Sequence, residues 1–413
     1  MLNKLAHNSL WHISKRTDNA KWKSWLVRAA AVIVALIISA IVSCIFKPDS
    51  FGEFIKNMFV GTLGTPTRII KFLQGVAMLL LIALAITPAF KMKFWNIGAE
   101  GQVLMGALMS VVCIMYLGGK VHNSLLVLIM FFAAVLGGGI WGAIPALFKA
   151  KWNTNETLFT LMMNYVAMGL VSICIASWVK SGSQVLGVLE YGAFPKIGKY
   201  NYILNIIIVA VITVIMAIYL KFSKHGYEIS VVGESQNTAK YIGISVPKVI
   251  IRTMIMSGAL AGVAGWIFVA GTPAHTISTS TAGGLGFTAI LVSWLGNFNP
   301  VSMVITSLIV QFFDIGSDFA GSQFGLGSSF SEIITGVFFF VLIACEFFVN
   351  YRIQFNTTLF KKHGKGEKTD DSTESTDKDA KNAAETCVSA DELNAEISET
   401  AQSVKNDAEE VKA

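Results

Sequence analysis

The chain has 413 residues, of which 54% are hydrophobic and 14% charged, and it carries 36 glycines and five cysteines. Several apolar runs approach the ~20 residues that a helix needs to cross a bilayer. Backbone groups in lipid must be satisfied within the segment, so these runs are read as helices, and the alternating pattern of a membrane barrel is absent. The formal charge of +6 hides an asymmetry: residues 361–413 hold 8 Lys against 14 Asp and Glu, a balance of −6, which leaves +12 for the rest. That excess sits in short loops, where it reports orientation in a membrane. It gives no reason to invoke nucleic acid.

The expected class is all-α, a polytopic transmembrane bundle of about ten spans with both termini cytoplasmic. Residues 1–24 read as a basic cytoplasmic N-terminus without a cleavable signal, because the first apolar run is too long for a signal core. Lys4, Lys15, Arg16, Lys21 and Lys23 precede the first span, Trp25–Phe46, and place that end inside. Residues 48–67 carry the breakers Gly61, Gly64 and Pro66 and suit a short interfacial helix. A second span over 69–90 ends at Lys91-Met92-Lys93, again inside.

The stretch Phe94-Trp95-Asn96-Ile97-Gly98-Ala99-Glu100-Gly101-Gln102 follows. It puts a carboxylate, two amides and two glycines between long apolar segments, where such groups need partners or water. The bland reading is a polar loop with helix-start chemistry; the sharper one is a packed, functional element. Asn96, Glu100 and Gln102, with Gly98 and Gly101, suit helix-end and packing roles better than contact with a solute.

Further spans are read over 101–117, 125–148 and 158–179. Asn164 and Tyr165 fall inside the last of these. An intramembrane Asn is more often an interhelical hydrogen-bond partner than a substrate-path group, and both readings stay open. The sixth span covers 202–220. The cytoplasmic loop 221–248 then offers Ser235 as an N-cap and Gly243 as a left-handed C-cap for one short helix, with Ala239 and Ile242 on a shared face. That helix either closes the loop or docks a soluble partner.

The seventh span, 250–270, carries Gly258-Ala259-Leu260-Ala261-Gly262, a small-residue face suited to close helix packing. Two short segments, 285–295 and 301–313, either cross twice or re-enter. Asp314 and Asp318 are read as outside loop residues, and 332–349 is the tenth span. Residues 351–413 form a cytoplasmic, largely disordered acidic tail.

No phosphate-binding loop, paired metal spacing or nucleophile–base motif occurs, so no catalytic residue, metal or cofactor is assigned to this chain. The cysteines (Cys44, Cys113, Cys174, Cys345, Cys387) are scattered and read as small apolar side chains. Ionisable groups such as Glu100, Glu156, Glu332 and Glu346 sit near span ends. Their scarcity at depth argues against ion coupling and suits a neutral polar solute. Tyr165 and Phe287 are candidate stacking groups in its path.

Four motifs stand in a shared order: Asn96–Gln102; Asn155-Glu156-Thr157 with Leu161–Tyr165; Gly233-Glu234 with Ala239–Ile244; and Ser257–Gly262. With these, residues 25–350 resemble the permease subunits of ABC importers in the ribose/branched-chain amino acid permease superfamily, above all its nucleoside branch. The resemblance implies a plasma-membrane location and three protein partners. These are a cytoplasmic ABC ATPase that binds ATP and Mg, a second, paralogous permease subunit, and an extracellular substrate-binding lipoprotein. It also implies that Gly233, Glu234, Asn237, Ala239 and Gly243 belong to a coupling helix. The alternatives are a permease for ribose or another simple sugar, an ion-coupled carrier, and a membrane-anchored scaffold using the tail.

Overall fold

The computed structural model describes residues 11–15, 21–48, 50–179, 185–195, 203–272 and 275–355. Lys4, Arg16, Lys180, Lys196, Lys199 and residues 356–413 of the acidic tail, with Cys387, lie outside the described residues, while the tail's first five residues are a strand and not disordered. The chain divides into two compact units, residues 15–352 and residues 1–14 with 353–413. Strand β1 (Trp11–Lys15) pairs with β2 (Tyr351–Phe355) in a two-stranded sheet.

Among the described residues, all helices belong to the larger unit. They are α1 (Lys21–Phe46), α2 (Phe51–Leu63), α3 (Pro66–Lys91), α4 (Ala99–Leu117), α5 (Asn123–Trp152), α6 (Glu156–Trp178) and α7 (Ile203–Phe222). After these come α8 (Lys224–Glu234), α9 (Gln236–Tyr241), α10 (Val246–Ala270), α11 (Leu285–Leu295), α12 (Pro300–Phe324) and α13 (Gly327–Asn350). Among the described residues, eight helices are long and apolar enough to cross a membrane. Two further apolar segments, α11 and Ser329–Cys345 within α13, are shorter. This is a polytopic helical bundle.

Helix α3 is the central one. It starts with Pro66 behind a Thr65 cap whose side chain accepts from Arg68 N, a favoured pairing because proline lacks the N–H that would go unpaired there. From Val76 to Phe90 it is buried all round, as a helix apolar on every face should be. It contacts α7, α8, α10, α11 and α12.

The tightest packing joins α10 to α5 and α4. The cause is the small-residue face read from the sequence. A Cβ added at Gly258 would strike the backbone of Gly138 and Gly142 in α5, and one at Gly262 would strike Ala134. Gly106 of α4 lies against Gly262, and Gly265 against Val103 and Ala107. Three backbones thus approach without side chains between them, which in lipid substitutes for a hydrophobic driving force.

Two boundaries differ from the sequence reading. Helix α12 continues to Phe324 rather than ending near Phe313, so Asp314 and Asp318 lie within a helix and not in a loop. The polar residues there find partners inside the bundle. Gln311 Nε2 donates to Asp314 at 3.1 Å and the hydroxyls of Ser317 and Ser331 meet at 2.9 Å. Gly316 packs on Met58 of α2. The loop 221–248 folds as two helices, α8 and α9, instead of one.

Gly258→Leu should therefore prevent assembly of α5 with α10, seen as loss of a monodisperse folded species after detergent extraction. Gly139→Ala is the control. A Cβ there meets Ile255 O only at 3.5 Å, an ordinary contact, and should leave the protein folded.

Candidate functional site

The chain turns back into the bundle after α3. Lys93 takes a positive φ of 59°, and residues 94–98 are non-helical. Asn96 is fully buried and bonds Ser257 Oγ at 3.3 Å. Ser257 lies about 16 Å along α10 from its start, at 1.5 Å per residue. Meanwhile Gly233 of α8 is pressed against the carbonyl of Lys91. The stretch therefore leaves the α8 end of the bundle and re-enters it, so that α4 begins at depth.

The side-chain amides of this turn bond one another and its backbone. Asn96 Nδ2 donates to Gln102 Oε1, and Gln102 Nε2 returns a bond to Asn96 Oδ1, both at 3.3 Å. Gly98 N donates to Asn96 Oδ1 at 3.1 Å. From α6, Asn164 closes the turn with both ends of its amide: Oδ1 accepts from Gly101 N at 2.8 Å, and Nδ2 donates to Ile97 O at 2.9 Å. Thr160 Oγ1 accepts from Ile97 N at 3.1 Å. A Cβ at Gly101 would meet Asn164, which explains that glycine.

Glu100 does something the sequence did not disclose. Its side chain is 3% exposed, and its oxygens accept from Gly284 N at 2.8 Å and Gly286 N at 2.9 Å. These are the amides of the α11 N-cap residue and of its second helical residue. A carboxylate from α4 thus caps α11, satisfying orphan N–H groups and the positive end of its dipole. Further along, Ser293 of α11 donates to Ala83 O of α3 at 2.9 Å and lies 3.2 Å from Thr87 Oγ1. Helix α11 is therefore a half-length segment running from depth towards the α8 end.

An aromatic face borders this element. Phe287 and Trp294, seven residues apart on α11, are both exposed. Trp95 meets Trp294 edge-on at 5.8 Å between ring centroids, and Phe90 stacks on Phe298 at 6.3 Å. Beyond the α11 start is a cavity of about 490 Å³ lined by Gly283, Asp314, Asp318, Ser331, Glu332 and Thr335. The expectation that carboxylates avoid the spans fails at Asp314. Tyr165 is exposed on α6, with its ring away from the buried Asn164.

At the α8 end, Ser223 caps α8 by accepting from Gly226 N at 2.9 Å. Ser235 caps α9 by accepting from Thr238 N at 3.2 Å, and Gly243 follows α9 with φ +83°. Ala239 is buried, but Ile242 is exposed, so those two do not share a covered face. Glu234 and Asn237 are exposed, and Tyr241 is 91% exposed. His225, buried in α8, bonds Tyr219 OH through Nδ1 at 2.6 Å and Thr253 Oγ1 through Nε2 at 3.2 Å. It ties α7, α8 and α10 together. Burial pushes its pKa down, helped by the charge of Arg252; Glu228 and the Val249 backbone oppose this.

A long-helix bundle with broken segments at depth and an exposed pair of short helices at one end defines a membrane permease. Residues 68–345 match the family model described as branched-chain amino acid transport system / permease component. The chain belongs to this family and is a multi-pass protein of the cell membrane. It is 28% identical over 346 residues, 82% of this chain and 97% of the relative, to the guanosine ABC transporter permease protein NupP of Bacillus subtilis. Against the nucleoside ABC transporter permease protein NupB of Lactococcus lactis it is 26% identical over 80% of this chain and 93% of the relative. Against the glucose ABC transporter permease protein TsgB13 of Haloferax volcanii the figures are 27%, 80% and 90%.

Two outcomes follow from this geometry. Glu100→Ala strands two amides and should destabilise the protein by about 2 kcal/mol or more, measured by thermal unfolding in detergent; Glu100→Gln, keeping one acceptor, should fall between. The depressed pKa of His225 means the unfolded chain binds its proton more readily. Its stabilising contribution is complete above its ordinary pKa of ~6.5 and is lost as pH falls through the lower folded value. Acidification from pH 7.5 to 5.5 should lower the wild-type melting temperature more than that of His225→Gln.

Proposed function

We propose that this chain is the permease subunit of an ATP-driven ABC importer that carries nucleosides by alternating access. The observation that carries the reading is the arrangement of α8 and α9. Their tip, with Glu234, Asn237, Tyr241, Ile242 and Gly243, is exposed, while Gly233 bears directly on the end of the central helix α3. A cytoplasmic ATPase that binds ATP and Mg docks on this tip, around the buried Ala239. Its motion reaches α3 through a backbone contact with no side chain to absorb it. An extracellular binding lipoprotein delivers the solute, and a second permease subunit completes the path.

The path follows the exposed face of α11. Non-helical backbone at membrane depth is tolerated only against protein or water, and Gly283, Gly284 and Trp95 are exposed there. The path begins at the cavity holding Asp314, Asp318 and Glu332, whose oxygens suit ribose hydroxyl donors. It continues past Phe287 to Trp294 and Trp95, whose rings suit a base. Asn164 is assigned to holding the re-entrant turn, because both ends of its amide are engaged. Tyr165 lies on the α6 surface, where the second subunit or lipid meets it.

A sugar is the second reading, favoured by the glucose permease among the relatives. Uptake of labelled guanosine, uridine and ribose in cells with and without the chain separates the two. Nucleoside uptake should require the chain and fall with Glu234→Arg, whereas uptake of ribose alone would move the assignment to sugars. Uptake that persists without the ATPase would overturn the importer reading. Base–aromatic stacking is worth ~1–3 kcal/mol, so Trp294→Ala should lower guanosine uptake about tenfold and spare ribose.

A further inference from the structure

A second cavity, of about 430 Å³, lies beside the α8–α9 tip and has no role in the path. Its walls are two charged stripes. Lys224 and Glu228 are four apart on α8; Ser245, Lys248, Val249 and Arg252 follow one another on one face of α10. The turn Ile242-Gly243-Ile244 closes it. Three cations thus face one carboxylate, and none of the four side chains is in an ion pair among those of the described residues. Ser245 sits at the α10 N-cap but its side chain makes no capping bond, and Pro247 in the first turn has no N–H to offer. The α10 start therefore adds its positive end to a cavity that already carries surplus positive charge. The floor is rigid, because His225 joins α7, α8 and α10 behind it.

We infer that this cavity binds a phosphate group. Three exposed cationic side chains line the cavity beside the uncapped start of α10, a charge distribution that suits phosphate oxygens. The position, at the end of the long apolar helix α10, suits the headgroup of an anionic phospholipid. A phosphate bound here would clamp α8 to α10 at the base of the docking tip. The inference holds whichever solute is carried.

The test uses the purified full-length chain in detergent. Dioctanoyl-phosphatidylglycerol and dioctanoyl-phosphatidylcholine are added separately, inorganic phosphate is then added to the phosphatidylglycerol sample, and binding is followed by thermal shift and native mass spectrometry. The wild type should bind phosphatidylglycerol and not phosphatidylcholine. Lys248→Gln/Arg252→Gln should bind it about thirtyfold more weakly, since each surface cation contributes about fivefold. Lys56→Gln/Lys120→Gln, which removes two exposed cations elsewhere, should bind as the wild type does. Competition by inorganic phosphate would assign the site to the phosphate group itself; its failure to compete would assign it to the lipid headgroup. Should the double variant not fold, Lys224→Gln supplies the same comparison with about a fivefold loss. Equal weakening by the Lys56/Lys120 variant would overturn the inference in favour of unspecific charge. No binding of phosphatidylglycerol or of inorganic phosphate by the wild type would overturn it.

Discussion

The bond between the Glu100 carboxylate and the amides at the start of α11 is the constraint on which the centre of this molecule depends. Both α4 and α11 begin inside the bundle, where no bulk water can serve their unpaired N–H groups. One carboxylate resolves half of that problem, and the amides of Asn96 and Asn164 resolve the other half. The three side chains come from different segments, so satisfying the backbone also fixes α4 against α6, α10 and α11. A single packed turn thereby sets the relative height of four helices. Glycine is needed where these backbones meet, at Gly101 under Asn164 and at Gly286 over Glu100.

Around this turn the bundle divides into parts of different stiffness. The α4–α5–α10 group is locked by backbone-to-backbone contacts at Gly106, Gly138, Gly258, Gly262 and Gly265. Close-packed surfaces of this kind move as units, since no side chain can re-orient to absorb a shift. Helix α3 differs: it meets α8 at the backbone contact of Gly233 with Lys91, and α11 through the Ser293 hydroxyl. In the proposed mechanism the tip of α9 moves α8, Gly233 transmits that motion to Lys91, and α3 passes it to α11 through Ser293. The end of that route is the face bearing Phe287 and Trp294.

What was readable from sequence follows the range of the interactions. Apolar runs announce helices because each run satisfies itself. Ser235 and Gly243 announce the ends of α9 because caps act within four residues. The Gly258–Gly262 face announces close packing, although not that its partner is Gly138. The misreadings arise where a helix runs on past its apolar stretch or a polar group is satisfied from another segment. Asp314 and Asp318 look like loop residues because both are charged, yet Gln311 and the Ser317 and Ser331 hydroxyls bond Asp314 within the bundle while Asp318 stays exposed on α12. Glu100 reads as a helix-end and packing group without naming its partner; the amides it bonds, Gly284 and Gly286, lie more than 180 positions away. Asn164 remained ambiguous for the same reason, since its partners are backbone atoms and carry no sequence signal. Ile242 was paired with Ala239 by periodicity, but α9 ends at Tyr241 and the turn carries Ile242 outward.

The same Glu100 contact bears on what can pass. In carriers with broken helices, a free half-helix N-terminus offers its amides to the anionic group of a substrate. An α-carboxylate, such as every amino acid carries, would seek such an end. Here α11 has that end at depth, but its amides are already taken by a carboxylate of the protein. The start of α11 is therefore neutralised, and the cavity next to it carries Asp314, Asp318 and Glu332 instead of cations. An anionic group would be repelled by three carboxylates and find no free amides. Hydroxyl donors and an uncharged aromatic ring suffer neither penalty. Within a family described by branched-chain amino acid transport, this local electrostatic pattern disfavours an anionic group at the α11 start and leaves carboxylate oxygens free to accept from hydroxyl donors. The aromatic face of Phe287, Trp294 and Trp95 then favours a nucleoside over a simple sugar.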